Sequence, residues 1–190
     1  MPKLVLASAS PRRREILAAA GIPFTVRTAA VPEERNGGET PEEFVCRLAR
    51  VKAAAVELEA DDEIILAADT EVVLDGCTLG KPADPADAAR MLSLLSGREH
   101  EVITGVCLRH VAGAITDLER TQVRFVSLTP EEIAAYVATG EPLDKAGAYA
   151  IQGRACRFID RIEGCYFNVV GLPVALVYRH LKRLAPGVWL

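Results

Sequence analysis

The stretch "LVLASASPRRREIL", residues 4–17, decides the fold. Leu4-Val5-Leu6-Ala7 is an apolar run that reads as a buried strand. Two serines and a proline follow, and Pro11 suits the first turn of a helix because its missing N–H would be unpaired there anyway. That helix is expected to run to about Ala20, where Gly21 stops it. A strand that ends in small residues and then starts a helix presents backbone N–H groups at the helix N-terminus. This end carries a partial positive charge and suits an anion. Here it also carries Arg12, Arg13 and Arg14, in a chain whose formal net charge is −4.

Outward from that stretch, strands and helices alternate. "FTVRT", residues 24–28, alternates as a second strand, and "VPEERNGGET", residues 31–40, is a polar, turn-rich loop. Thr40 and Glu43 form a capping box, followed by the helical stripe Phe44, Leu48, Val51, Ala55 and Leu58. "EIILAAD" is a strand ending at Asp69, and "EVVLDGCTLG" is a hairpin that turns at Asp75-Gly76. A helix over residues 85–95 carries the stripe Ala88, Met91, Leu92 and Leu95. Two β-rich runs follow, near 100–110 and 114–126. Thr129 and Glu132 make a second capping box that opens a helix to Thr139. After short β segments, Pro173 starts a last helix. The pattern predicts an α/β fold, a mixed sheet with helices on its faces. No repeat or strong linker interrupts the chain, so residues 1–190 are read as one domain, with any second lobe an excursion within it.

Bulk properties exclude several classes. Half of the 190 residues are hydrophobic and a quarter are charged, an ordinary globular composition. The acidic balance argues against a general nucleic-acid or membrane-surface binder. No segment reaches the roughly 18 apolar residues of a membrane span, and "MPKLVLASAS" does not read as a signal peptide. Cys46, Cys77, Cys107, Cys156 and Cys165 are odd in number and form no CxxC pair. They read as free thiols in a reducing cytoplasm, each as a buried small hydrophobe.

Several stretches can carry chemistry. Ser8 and Ser10 add hydroxyl donors to the opening helix, and Arg12 and Arg13 add forked guanidinium donors. Cations in a helix's first turn oppose the macrodipole, at about a few tenths of a kcal/mol each. A bound polyanion removes that conflict, and a solvated basic face paired with acids such as Glu15 is an equal alternative on these residues alone. In "AADTEV", residues 67–72, Asp69 stands where a metal ligand or general base belongs in an open α/β sheet, or simply caps a turn. "DGCTLGKP", residues 75–82, is not a Walker A loop, because only three residues separate its glycines and Pro82 follows Lys81. Lys52 sits at the edge of its helix's apolar face, able to snorkel to water or to line a cleft. In "GEPLDKAGAYAIQG", residues 140–153, the glycines allow close backbone approach and Gln152 offers an amide that both donates and accepts. His100, His110 and His180 have no metal-ligand spacing, and no zinc pattern or covalent nucleophile is evident.

Taken in order, these stretches resemble the Maf family, the septum-formation-inhibitor proteins. The matching segments are "LASASPRRREIL", "RLARVKA", "AADT", "LGKPADPADAARMLSLLSGREHEVITGV", "GEPLDKAGAYAIQG" and "NVVGLPV", which span nearly the whole chain. The resemblance implies a cytoplasmic nucleoside triphosphate pyrophosphatase that uses Mg²⁺ or Mn²⁺ and cleans the nucleotide pool, with a link to division arrest. It implies a fold like that of the inosine triphosphate pyrophosphatases, two lobes around a cleft, usually as a homodimer. By the same resemblance, Ser8, Arg12, Arg13, Lys52 and Lys81 line the phosphate site. Asp69 is the proton acceptor and a metal ligand, and Glu33 is an acid near the metal. Arg12, Thr70 and Gln152 set substrate choice in the form of the dTTP/UTP branch, with CTP or modified pyrimidine nucleotides as further substrates. Glu71 departs from the family pattern and adds an acid beside Asp69. The rival from another class is a non-catalytic nucleotide-binding regulator of cell division.

Overall fold

In the computed structural model, residues 2–189 are described. The opening stretch folds as read: β1 (Lys3–Leu6) leads directly to α1 (Pro11–Ala19), and Gly21, at φ +67°, turns the chain behind the helix. After β2 (Phe24–Val26) come α2 (Pro41–Ala54), β3 (Glu63–Leu74), β4 (Cys77–Leu79), α3 (Pro85–Leu95), β5 (Glu99–His110) and β6 (Gly113–Phe125). The chain continues through α4 (Pro130–Val137), β7 (Ile159–Glu163), α5 (Tyr166–Val170) and α6 (Val174–Leu184). Three short 3-10 turns, at Glu141–Asp144, Ala146–Ala148 and Arg154–Phe158, fill the segment between α4 and β7.

The strands form one seven-stranded sheet in the order β2-β1-β3-β5-β6-β7, with β4 paired to β3. β1 runs parallel to both β2 and β3, whereas β3–β4 and β6–β7 are antiparallel, so the sheet is mixed as expected. The capping boxes at Thr40/Glu43 and Thr129/Glu132 are both made in full. At the β3–β4 turn, Asp75 (φ +51°) and Gly76 (φ +76°) both adopt the left-handed backbone that a two-residue hairpin needs. Among the described residues, no helix is long and apolar enough to cross a membrane.

Four expectations need correction. The segment between α4 and α6, expected as short β segments, holds three 3-10 turns, one strand (β7) and a further helix (α5). β3 does not end at Asp69 but runs on to Leu74. β1 pairs with residues 63–66 and β4 with residues 72–74, so the strand is supported on both sides of the aspartate. The α2 stripe is rotated: Phe44, Val45, Leu48, Ala49 and Ala53 are buried, whereas Val51 and Ala55 are exposed. A helix face built from small alanines can approach the sheet more closely than one built from Val51 and Leu58, which explains the choice. Only Cys107 of the five free cysteines is buried, and Cys77 and Cys156 are exposed.

The chain divides into two compact units. The first comprises Met1–Asp69, Thr104–Glu119 and Gly171–Leu190. Its core joins Val5 and Ala7 of the β1 segment, Ala49 and Ala53 of α2, Ile65 and Ala67 of β3, and Cys107 of β5. Contact between α2 and β5 is close enough that a Cβ on Gly105 would lie 2.6 Å from the Val45 carbonyl carbon and oxygen. Arg109 of β5 caps the other end of α2, donating through Nε to the Ala53 carbonyl (3.0 Å) and through Nη2 to that of Val56.

The second unit comprises Thr70–Ile103 and Arg120–Val170. Its core is aromatic. Phe125 stands edge-on to Tyr149 and His100, and Tyr136 edge-on to Phe158, at centroid distances of 4.9–5.4 Å. Asn168, fully buried, donates to the Val102 carbonyl (2.9 Å) and the Thr121 hydroxyl (3.0 Å), tying α5 to β5 and β6. Burial drives the His100 imidazole down to about 4. A histidine held below its unfolded value near 6.5 binds its proton more readily in the unfolded chain, so stability is full above that pH and falls as pH drops toward 4. Over that window the loss amounts to up to about 3 kcal/mol. Urea unfolding of His100→Gln, which keeps an amide partner for Tyr149, is expected to show a shallower decline in stability between pH 6.5 and 4 than the parent protein.

Candidate active site

The site is built where β1 gives way to α1. Four helices of the fold begin with a proline, but α1 alone among them lacks a side-chain cap. Thr40, Asp84 and Thr129 each accept a backbone N–H at the start of α2, α3 and α4. Ser10 holds the corresponding position of α1 without a side-chain cap bond, and α1 has no acid in its first turn. Its own N–H instead donates to Ser8 Oγ (3.2 Å), and Ser8 is buried. The first-turn amides and the two half-buried arginines therefore concentrate positive potential in one place.

Arg13 is an organiser of this corner. Its Nη1 donates to Ser8 Oγ (3.1 Å) and to the Ala68 carbonyl (2.8 Å), and its Nε donates to the Gly171 carbonyl (2.8 Å). One guanidinium thus joins the end of β1, the residue before Asp69 on β3, and the start of the segment leading to α6. Burial lowers its pKa, partly opposed by the charge of Asp69. Arg12, one residue away, is half-buried, and Arg14 is exposed.

Asp69 is buried, with 7% of its surface accessible. Desolvation raises its pKa, and the neighbouring charges of Lys52 and Arg13 hold the rise in check. Lys52 Nζ lies 2.6 Å from Asp69 Oδ1 and 2.6 Å from Glu33 Oε1, so one ammonium bridges the two carboxylates. Lys52 gets there because the rotated α2 face, Val45-Ala49-Ala53, carries it against β3 and not out to water.

The 31–40 loop reaches the same place through a residue that sequence reasoning did not single out. Arg47 grips Glu39 with both ends of its fork, Nε to Oε1 (2.6 Å) and Nη2 to Oε2 (2.8 Å), and Nη2 also donates to the Glu34 carbonyl (2.8 Å). That clamp holds the neighbours of Glu33 against α2 and drops the Glu39 carboxyl to about 2, chiefly through its bond to Arg47. Phe44 lies under both Arg35 and Arg47, at 5.1 and 5.4 Å from its ring centroid. The only sequence signal for this role was the position of Arg47 inside "RLARVKA", just after a loop rich in acids.

Ser8, Arg12, Arg13, Glu33, Lys52 and Asp69 are therefore gathered within the first unit. Thr70, Lys81 and Gln152 belong to the second. Lys81 follows Gly80, whose carbonyl accepts from the Gly147 N–H (3.1 Å). Gly147 (φ +66°) sits so close to Val72 that a Cβ there would lie 2.9 Å from both of its methyl groups. Gln152 is exposed within a turn. As for a divalent cation, Asp69 and Glu33 supply two hard carboxylates, each paired to the Lys52 ammonium, and no third His, Cys, Asp or Glu joins them among the described residues. Mg²⁺ commonly takes one or two carboxylates and completes its shell with water and substrate phosphate, so the donor set fits.

A mixed sheet with a buried, lysine-bridged carboxylate beside an uncapped, arginine-lined helix start is the frame of this α/β protein. The chain belongs to the Maf-like protein family, whose model matches residues 3–184. It is 53% identical over 180 residues to a dTTP/UTP pyrophosphatase of Koribacter versatilis, covering 95% of this chain and 93% of that one. It is 52% identical over 191 residues to a dTTP/UTP pyrophosphatase of Moorella thermoacetica, covering 100% and 98%. Among solved structures, the Staphylococcus aureus Ham1 protein shares the fold with a TM-score of 0.54 at 15% identity, covering 96% of this chain and 99% of that one.

Because Lys52 offsets the burial of Asp69, Lys52→Met is expected to move the Asp69 carboxyl to a still higher pKa. A carboxyl-carbon NMR titration of the metal-free protein reads that shift directly, and a value unchanged or lowered contradicts the bridge.

Proposed function

We propose that this chain is a nucleoside triphosphate pyrophosphatase that hydrolyses dTTP and UTP to the nucleoside monophosphate and pyrophosphate. The observation that carries the reading is the buried Asp69 carboxylate, bridged by Lys52 to Glu33 and coupled to Arg13, in a chain about half identical over its full length to proteins named for that activity. Residues 1–190 act in this reading as one functional domain.

The residues divide the work. Ser8, the first-turn amides of α1 and Arg12 neutralise phosphate oxygens, and Arg13, already bonded to three protein oxygens, keeps that surface in shape while adding its charge. Lys52 contributes charge to the phosphates and holds Asp69 in place. The family resemblance adds Lys81 to the phosphate ligands and Thr70, Gln152 and Arg12 to the groups that choose the base. Asp69, a stronger base than an ordinary carboxylate because it is buried, accepts the proton of the water that attacks the α–β phosphoanhydride bond. Asp69 and Glu33 would hold a Mg²⁺ or Mn²⁺ ion, which when bound neutralises phosphate charge and acidifies water. Positioning and charge neutralisation carry most of the rate in such a transfer. CTP and modified pyrimidine nucleotides, a cytoplasmic homodimer and a part in division arrest complete the reading, each supported by family resemblance.

The test is pyrophosphate release from dTTP, UTP, CTP and 7-methyl-GTP, with and without Mg²⁺. Release from dTTP and UTP that stops with a chelator is expected, and release from none of the four favours a non-catalytic regulator. Asp69→Asn is expected to lower kcat by at least about 100-fold while its melting temperature stays within a few degrees of the parent. A fully active Asp69→Asn protein overturns the assignment.

A further inference from the structure

Gln152 is held in a way that the motif containing it does not reveal. The Gly153 N–H donates to the Ala150 carbonyl (2.9 Å), so Ala150–Gly153 is a hydrogen-bonded turn with Gln152 at its third position. The turn is clamped at both ends by two side chains from outside it. At its start, the Ala150 N–H donates to the Tyr136 hydroxyl (3.3 Å). At its end, the Arg154 N–H donates to both carboxylate oxygens of Glu141, 3.0 Å to Oε1 and 3.2 Å to Oε2. The two clamping groups are bonded to each other, since the Tyr136 hydroxyl donates to Glu141 Oε1 (2.9 Å).

Tyr136 is fully buried and cannot swing away. Glu141 is fixed from behind, where its N–H donates to Thr139 Oγ1 (3.2 Å) and that hydroxyl donates to the Tyr136 carbonyl (2.6 Å). Gly153 is part of the device. A Cβ there would lie 2.1 Å from Glu141 Oε1, so only glycine lets the carboxylate lie flat against the turn. Its φ of −101° is ordinary, so space and not backbone conformation selects glycine at this position. All of these residues belong to the second unit.

We infer that Glu141, locked by Tyr136, is a positioning residue that aims Gln152 and thereby sets nucleotide preference. The inference rests on the reading that Gln152 helps to choose the nucleotide. A turn held by one neutral hydrogen bond samples several orientations, whereas one pinned by a carboxylate at one end and a buried hydroxyl at the other presents its third residue in one. Charged hydrogen bonds of this kind are also the strong ones.

The test uses the full chain and an internal competition between UTP and 7-methyl-GTP, which reads the ratio of their kcat/KM values. Glu141→Ala is expected to lower the UTP preference about tenfold, in line with losing charge-assisted hydrogen bonds, mainly through KM with kcat for UTP changed less than about threefold. Gly153→Ala should do the same, because its methyl displaces the carboxylate without straining the backbone. Glu141→Gln, which keeps one acceptor oxygen, should recover part of the loss. In a Gln152→Ala background, adding Glu141→Ala should change the ratio by less than about twofold, since both act through one side chain. Faster amide exchange confined to Ala150, Gly153 and Arg154 would show that Glu141→Ala remains folded with the clamp open. Should that variant unfold, Gly153→Ala carries the test. If Gln152→Ala itself leaves the ratio unchanged, the reading of Gln152 fails and the inference with it. If Gln152→Ala changes the ratio but neither Glu141→Ala nor Gly153→Ala does, or if the double variant is simply additive, the positioning role alone is overturned.

Discussion

The Arg13 guanidinium, held by Ser8 Oγ, the Ala68 carbonyl and the Gly171 carbonyl, is the interaction on which the site in the first unit depends. A cation largely withdrawn from water must find acceptors, because desolvating it unpaired costs more than any one contact returns. Arg13 finds them in three segments distant in sequence, and satisfying it therefore fixes where β1 ends, where β3 presents Asp69 and where the chain enters α6. Such an arrangement is not primarily a source of stability, since desolvation offsets much of the electrostatic gain. Its consequence is geometric: the start of α1 and the carboxylate of Asp69 are set by the same side chain.

Around that anchor the charges are balanced in an unusual way. A chain of net charge −4 leaves the starts of α1 and α6 without a side-chain cap or an acid but adds arginines to that of α1, while α2, α3 and α4 are capped by Thr or Asp side chains. Lys52 then stands between two carboxylates, which keeps a buried aspartate ionisable and holds Glu33 close. Positive groups and paired carboxylates are thereby built side by side in the first unit.

Much of this was legible in the chain because it rests on local physics. The capping boxes, the Asp75-Gly76 turn, the α3 stripe and the stop at Gly21 each depend on residues within a few positions of one another, and each formed as read. The misreadings share a cause. Val51 and Ala55 fitted a helical period as well as Val45 and Ala49 did, and only the close approach of Gly105 to the α2 backbone decided between the two faces. β3 was cut short at Asp69 because an acid after an apolar run looks like a strand end, whereas pairing with β4 carries the strand through. Arg47, Tyr136 and Glu141 went unremarked because their roles lie in partners 5–14 residues away that no period or cap predicts.

By itself, then, the sequence determined the order and type of the elements from β1 to α4, the helix caps and turns there, the basic character of the α1 start and the family to which the chain belongs. These follow from backbone chemistry and short spacings, which act before any long-range contact forms. Tertiary structure alone decided which arginine became an anchor and which stayed in water, that Lys52 would join Asp69 to Glu33, and that Glu141 would grip the turn bearing Gln152. Each of those outcomes requires a buried polar group to find its partner across the fold, and that partner is chosen by packing and desolvation.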